Sequence, residues 1–120
     1  MVRTEGLTHI HFAVDDLERS LSFYQQVFGM EELFREGKHM IFLRTPGSGD
    51  MITLHSGEHH AGESGGIAHF GFQLAAEANL DEAVTEVETA GGKLISRGHH
   101  GGGYAYVADP DGYVIELMSG

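Results

Sequence analysis

The sequence predicts an α+β protein built from two βαβββ modules, paired so that their sheets curl into an open, barrel-like cup. Three observations predict it: an internal repeat, a helical periodicity after each copy of the repeat, and glycine punctuation that cuts the remainder into short extended segments. At 120 residues, with 41% hydrophobic and 21% charged residues, the chain has the size and composition of one folded domain around one main core. Residues 1–120 are therefore read as a single domain, with module one at 5–57, a linker at 58–65 and module two at 66–120.

The repeat aligns Gly6-Leu7-Thr8-His9-Ile10-His11-Phe12-Ala13-Val14 with Gly66-Ile67-Ala68-His69-Phe70-Gly71-Phe72-Gln73-Leu74 without a gap. Both segments alternate in the manner of a half-buried strand. Leu17, Leu21, Tyr24 and Phe28 then trace a helical stripe in the first copy, as Leu80, Ala83, Val84, Val87 and Ala90 do in the second. Asp15 with Glu18, and Asn79 with Glu82, have capping-box spacing, and Gly29 and Gly91 stand where a left-handed residue closes a helix. Extended segments follow around 31–36 and 39–45, then around 93–97 and 103–108. The modules close alike, on Ile52-Thr53-Leu54-His55-Ser56-Gly57 and Ile115-Glu116-Leu117-Met118-Ser119-Gly120.

Charge and composition exclude several partner classes. Seven basic against 18 acidic residues leave a net charge of −11 with histidine neutral, and no segment gathers Lys or Arg into a patch. Nucleic acid and anionic membranes are thereby disfavoured as partners. With no cysteine there is neither a thiolate ligand nor a thiol nucleophile. The first residues lack the apolar core of a secretory leader, so a cytoplasmic location is expected.

Strand parity selects the candidate site. Ile10, Phe12 and Val14 alternate with His9, His11 and Ala13, and Phe70, Phe72 and Leu74 with His69, Gly71 and Gln73. In the closing strands Ile52 and Leu54 alternate with Thr53 and His55, and Ile115 and Leu117 with Glu116 and Met118. The polar set falls on the face away from the helices. There His9, His69 and Glu116 offer two neutral nitrogen donors and an anion from three separate strands, a set that suits Fe, Mn, Ni or Zn and leaves coordination positions open. Any one of these residues alone would read as an ordinary solvent-facing side chain; their equivalence within a repeat selects the metal reading.

The chain resembles the vicinal oxygen chelate superfamily, the group of glyoxalase I, bleomycin-resistance proteins and extradiol dioxygenases. The resemblance is carried by THIHFAVDDLERSLSFYQQVFGM, by GIAHFGFQL and above all by YVADPDGYVIEL, whose Asp-Pro-Asp-Gly turn precedes the ligand strand. It implies paired βαβββ modules, a divalent ion on His9, His69 and Glu116, and a homodimer with sites where modules of two chains meet. It also implies a small-molecule substrate with neighbouring oxygens. Four-ligand members carry Glu or Gln where this chain has Thr53, with His55 two residues on as a substitute donor; a three-ligand site inclines the reading toward a dioxygenase. Tyr106 would hydrogen-bond a substrate oxyanion, His100 would act as a base, and His11 would support a ligand or touch substrate. Three alternatives stand beside the dioxygenase: a glyoxalase I-like lyase or isomerase; a fosfomycin-type thiol transferase, from which His11 and the Gly101-Gly102-Gly103 run depart; and a metal-free, bleomycin-resistance-like binding protein.

Overall fold

The computed structural model describes the chain except residues 2, 4, 6, 58, 59, 64, 66, 100, 101 and 120. His100, expected as a base, and the glycines that open the two repeats lie outside the described residues. Module one runs β1 (Ile10–Val14), α1 (Leu17–Phe28), β2 (Glu31–Glu36), β3 (Met40–Arg44) and β4 (Ile52–Ser56). Module two runs β5 (Phe70–Gln73), α2 (Leu80–Thr89), β6 (Lys93–His99), β7 (Gly103–Ala108) and β8 (Val114–Met118). The sheets have orders β1-β4-β3-β2 and β5-β8-β7-β6, and in each the opening strand lies parallel to the closing strand. The sheets stay separate and do not close into a barrel, which leaves β1 and β5 as sheet edges.

The helices begin and end for local reasons. Asn79 caps α2 as its spacing predicts, its Oδ1 accepting the Glu82 backbone N–H at 3.1 Å. At α1 the cap is Asp16, one residue later than expected, because Asp16 Oδ1 takes the Arg19 N–H at 3.0 Å. Glu18 is thereby released from a capping role and pairs with Arg35 at 2.7 Å. Gly29 and Gly91 have φ of +64° and +99°, the left-handed conformation expected after a helix.

Both helices lie on the inner faces of the sheets, α1 against β3 and β4, α2 against β6 and β7, and each against the other. The alternating apolar positions Phe12, Val14, Ile52, Leu54, Ile115 and Leu117 are buried in one cluster with Phe23, Tyr24 and Val87. Each such side chain contributes about 1.5–3 kcal/mol by leaving water. Aromatic contacts carry the core across the module boundary: Phe28 stacks on Phe72 with centroids 4.0 Å apart, and Phe12 meets Phe70 at 5.6 Å. Among the described residues, no helix is long and apolar enough to cross a membrane.

The Asp-Pro-Asp-Gly turn between β7 and β8 does more than reverse the chain. Asp111 accepts hydrogen bonds from the Asp15 backbone N–H (3.1 Å), Arg19 Nη2 (2.8 Å) and Ser20 Oγ (3.2 Å), all at the start of α1. Asp109 Oδ2 accepts from the buried Tyr24 hydroxyl at 2.9 Å, while its Oδ1 takes the backbone N–H groups of Asp111 and Tyr113. Tyr113 Oη returns the contact by donating to the Ala13 carbonyl at 2.7 Å. Module two is thus clamped to module one through two buried carboxylates.

Burial pushes the Asp109 carboxyl above its ordinary pKa, against the opposing effect of its hydrogen-bond donors. Burial, together with the Asp109 charge, also keeps the Tyr24 phenol neutral. A carboxyl whose folded-state pKa is raised binds its proton more tightly when folded, so its contribution to stability falls as pH rises from the unfolded to the folded value. Replacing Asp109 by Asn should therefore remove a destabilising slope between the ordinary carboxylate pKa and the raised one, read from denaturant unfolding of both proteins at several pH values. Asp109→Ala, which strands a buried hydroxyl and two backbone N–H groups, should cost about 3 kcal/mol or more. A loss under about 1 kcal/mol would mean that the clamp does not hold the modules together.

Candidate metal centre

Register builds the centre of module two. The parallel pairing of β5 with β8 sets Gly71 opposite Glu116, so His69, two residues earlier on the same face, reaches Glu116 diagonally. His69 Nε2 stands 3.3 Å from Glu116 Oε1, with side chains 35% and 20% exposed. Two donors each about 2.1 Å from one ion lie roughly 3.0–3.4 Å apart at tetrahedral to octahedral angles, so the pair has the bite of a chelate. Antiparallel pairing of β7 with β8 places Tyr106 opposite Glu116, and its ring meets the edge of His69 with centroids 5.0 Å apart.

A cavity of about 450 Å³ opens beside these side chains, lined among others by Gln73, Tyr104, Tyr106, Glu116, Met118 and Ser119. Tyr104 lies over Gly98, its cross-strand neighbour, where any Cβ would collide with the phenol ring. Tyr104 in turn meets Tyr106 edge to face at 5.6 Å. The aromatic wall thus depends on a missing side chain. Sequence reasoning placed Gln73 and Met118 on the polar face without giving them a role and passed over Tyr104; the signal that marks Tyr104 is Gly98, a glycine inside a strand.

The other expected site residues lie elsewhere. His9 is exposed immediately before β1 and paired through Nδ1 with Thr8 Oγ1 at 2.7 Å. Such a bond orients an imidazole and leaves Nε2 for a ligand. Among the described residues, no three His, Asp or Glu side chains of one chain converge closely enough to hold an ion. The structure therefore brings together His69, Glu116 and Tyr106 and keeps His9 apart. Thr53, expected on the polar face, is 1% exposed and its Oγ1 has no hydrogen-bond partner among the described residues. His11 and His55 touch each other, Nε2 to Nδ1, at 3.1 Å.

A family model described as Glyoxalase/Bleomycin resistance protein/Dioxygenase superfamily matches residues 6–117. The chain belongs to that superfamily. It is 29% identical to the fosfomycin resistance protein FosX of Listeria innocua over 125 residues, covering 96% of this chain and 90% of that one. It is 31% identical to a lactoylglutathione lyase of Neisseria meningitidis serogroup B over 122 residues, covering 93% and 88%. The crystal structure of FosX from Listeria monocytogenes superposes with a TM-score of 0.81 at 26% identity, covering 98% of this chain and 95% of that one. A mutant of the same FosX, solved with Mn(II) and 1S,2S-dihydroxypropylphosphonic acid, superposes with a TM-score of 0.80. Members of the superfamily can thus hold a divalent ion on this fold, and the donor chemistry of His69 and Glu116 fits one.

Thr53 occupies the point of module one that corresponds to Glu116 in the repeat, since β4 and β8 close their modules alike. Thr53→Glu should lower the melting temperature of the metal-free protein, because a buried carboxylate replaces a neutral hydroxyl. Mn(II) or Ni(II) should then restore more stability to the variant than it adds to the parent, by the ordinary linkage of binding to folding. Equal shifts in both proteins, measured by calorimetry, would show that position 53 does not face the ion.

Proposed function

We propose that the protein is a divalent-metal enzyme that binds and polarises a small substrate through neighbouring oxygens. The observation that carries this reading is the His69–Glu116 pair, set at chelating distance beside Tyr106 and a substrate-sized cavity. His9 of a second copy of the chain is the third ligand in this reading, which supports a homodimer. Among the described residues of one chain no three His, Asp or Glu side chains converge on an ion, so in this reading a second molecule supplies the third ligand. Two-fold symmetry would make two equivalent sites.

The ion, Fe, Mn, Ni or Zn, supplies Lewis-acid polarisation of substrate oxygen and open positions for chelation. The chain supplies the remainder. Glu116 provides the negative charge that favours a cation, and His69 Nε2 the neutral donor. Tyr106, opposite Glu116, places a phenol at the site wall, where its O–H can donate to a substrate oxygen that gains charge. Tyr104 and Met118 give the cavity apolar surface for the substrate carbon skeleton, and Gln73 and Ser119 give it neutral polar contacts.

The relatives described above, a fosfomycin resistance protein and a lactoylglutathione lyase, favour addition or isomerisation at a polarised oxygen substrate. A second reading, dioxygenase chemistry, is favoured by one feature: Thr53 stands where a fourth ligand would fill the ion's shell, and a two-His, one-carboxylate set with open positions suits iron and O₂. Metal content separates the two. Elemental mass spectrometry of anaerobically purified protein should find about one ion per chain, with Glu116→Ala and His69→Ala lowering its affinity at least tenfold and leaving the melting temperature within a few degrees. Iron would turn the assignment to dioxygenase, whereas manganese, nickel or zinc would hold it to lyase or transferase chemistry. Failure to bind any of the four would leave a metal-free binding protein. Tyr106→Phe should lower kcat by about 10²-fold with little change in KM, as expected for a donor engaged in the transition state.

A further inference from the structure

Module one carries a chelating pair of its own, displaced along the sheet. His11 Nε2 and His55 Nδ1 are 3.1 Å apart, with ring centroids at 5.2 Å and ring planes inclined by 55°. Their meeting has the same origin as that of His69 and Glu116. Parallel pairing of β1 with β4 sets Ala13 opposite His55, and His11, two residues earlier on the same face, crosses the strand gap diagonally. In module two Gly71 opposes Glu116 and His69 comes two residues earlier. The relation is repeated one dipeptide further along the strands: the repeat equivalents of His69 and Glu116 are His9 and Thr53, yet the side chains that meet in module one are His11 and His55.

We infer that His11 and His55 form a second divalent-metal position, separate from the one built on His69 and Glu116, with both side chains supplied by one chain. Its chemistry differs. Imidazole donors favour borderline transition metals, Zn(II), Ni(II) and above all Cu(II), over Mg(II) and Ca(II), which prefer oxygen ligands. The 3.1 Å separation falls within the roughly 3.0–3.4 Å expected of two nitrogens on one such ion. A second observation points to a ligand at the same place. Thr53, in register with His11 and two residues before His55 on the same face, is 1% exposed, and its Oγ1 has no partner among the described residues. A buried hydroxyl left so costs about 1–3 kcal/mol unless something reaches it, and a water held on an ion at the imidazole pair would do so. Among the described residues no third His, Asp or Glu joins the pair.

The test is independent of the proposed function because it is run with that centre removed. The full-length His69→Ala/Glu116→Gln protein is titrated with Cu(II) or Ni(II) at neutral pH, with calorimetry for affinity and the imidazole resonances for location. One site should remain, its affinity falling at least tenfold in His11→Ala or His55→Ala and unchanged in His39→Ala, and substoichiometric Cu(II) should broaden the resonances of His11 and His55 first. Mg(II) should produce no response. Absence of a site in the double variant would overturn the proposal, as would a site indifferent to both His11 and His55 or broadening centred on other histidines. Because the broadening experiment needs no change at His11 or His55, it decides the question even where those substitutions unfold the protein.

Discussion

The hydrogen bonds that tie the β7–β8 turn to the first turns of α1 are the constraint on which the rest of the molecule depends. Among the described residues the two sheets share no strand pairing, so the relation of the modules is fixed by the core between them and by what locks that core in register. Asp111 supplies one lock, its buried carboxylate reaching three donors at the start of α1. Asp109 supplies the other through Tyr24. These carboxylates are costly to bury and are held by donors on every side, which makes them specific: no shifted docking of the modules would satisfy both. The same turn feeds directly into β8, so the strand bearing Glu116 is positioned from module one.

Once each helix is packed on its own sheet, the fate of the polar faces follows. Side-chain alternation sends every second residue of β1, β4, β5 and β8 away from the core. The faces differ although they descend from one pattern. Module two pairs an imidazole with a carboxylate and surrounds them with tyrosines and a cavity, while module one pairs two imidazoles over a buried threonine. A duplicated strand pair thus carries two kinds of donor set, one suited to an ion that activates oxygen and one suited to a softer ion. The strong net negative charge, −11, favours cations at both faces.

Much of the fold was legible in the residues. The repeat announced two modules, the alternation announced which side chains would be buried, and Phe12, Val14, Leu54, Ile115 and Leu117 are in the core for that reason. Cap chemistry was legible to within one residue: Asn79 and both closing glycines stand as expected, whereas α1 is capped by Asp16, because two adjacent aspartates offer the same signal and only the docking of Asp111 on the Asp15 N–H separates them. The candidate centre was legible in part. Parity put His69 and Glu116 on one face, and short-range register brought them together.

What the sequence determined by itself was periodic: element types, core face, and the donor types available on the opposite face, all consequences of local backbone geometry. Tertiary structure decided what depends on long-range placement. It left His9 outside any three-donor cluster with His69 and Glu116 among the described residues. It buried Thr53, brought His11 onto His55 through a strand register that one segment alone cannot specify, and laid Tyr104 across Gly98. It also turned Asp-Pro-Asp-Gly from a hairpin signal into the joint between modules, because the partners of its carboxylates lie some ninety residues away in the chain, beyond the reach of any local pattern.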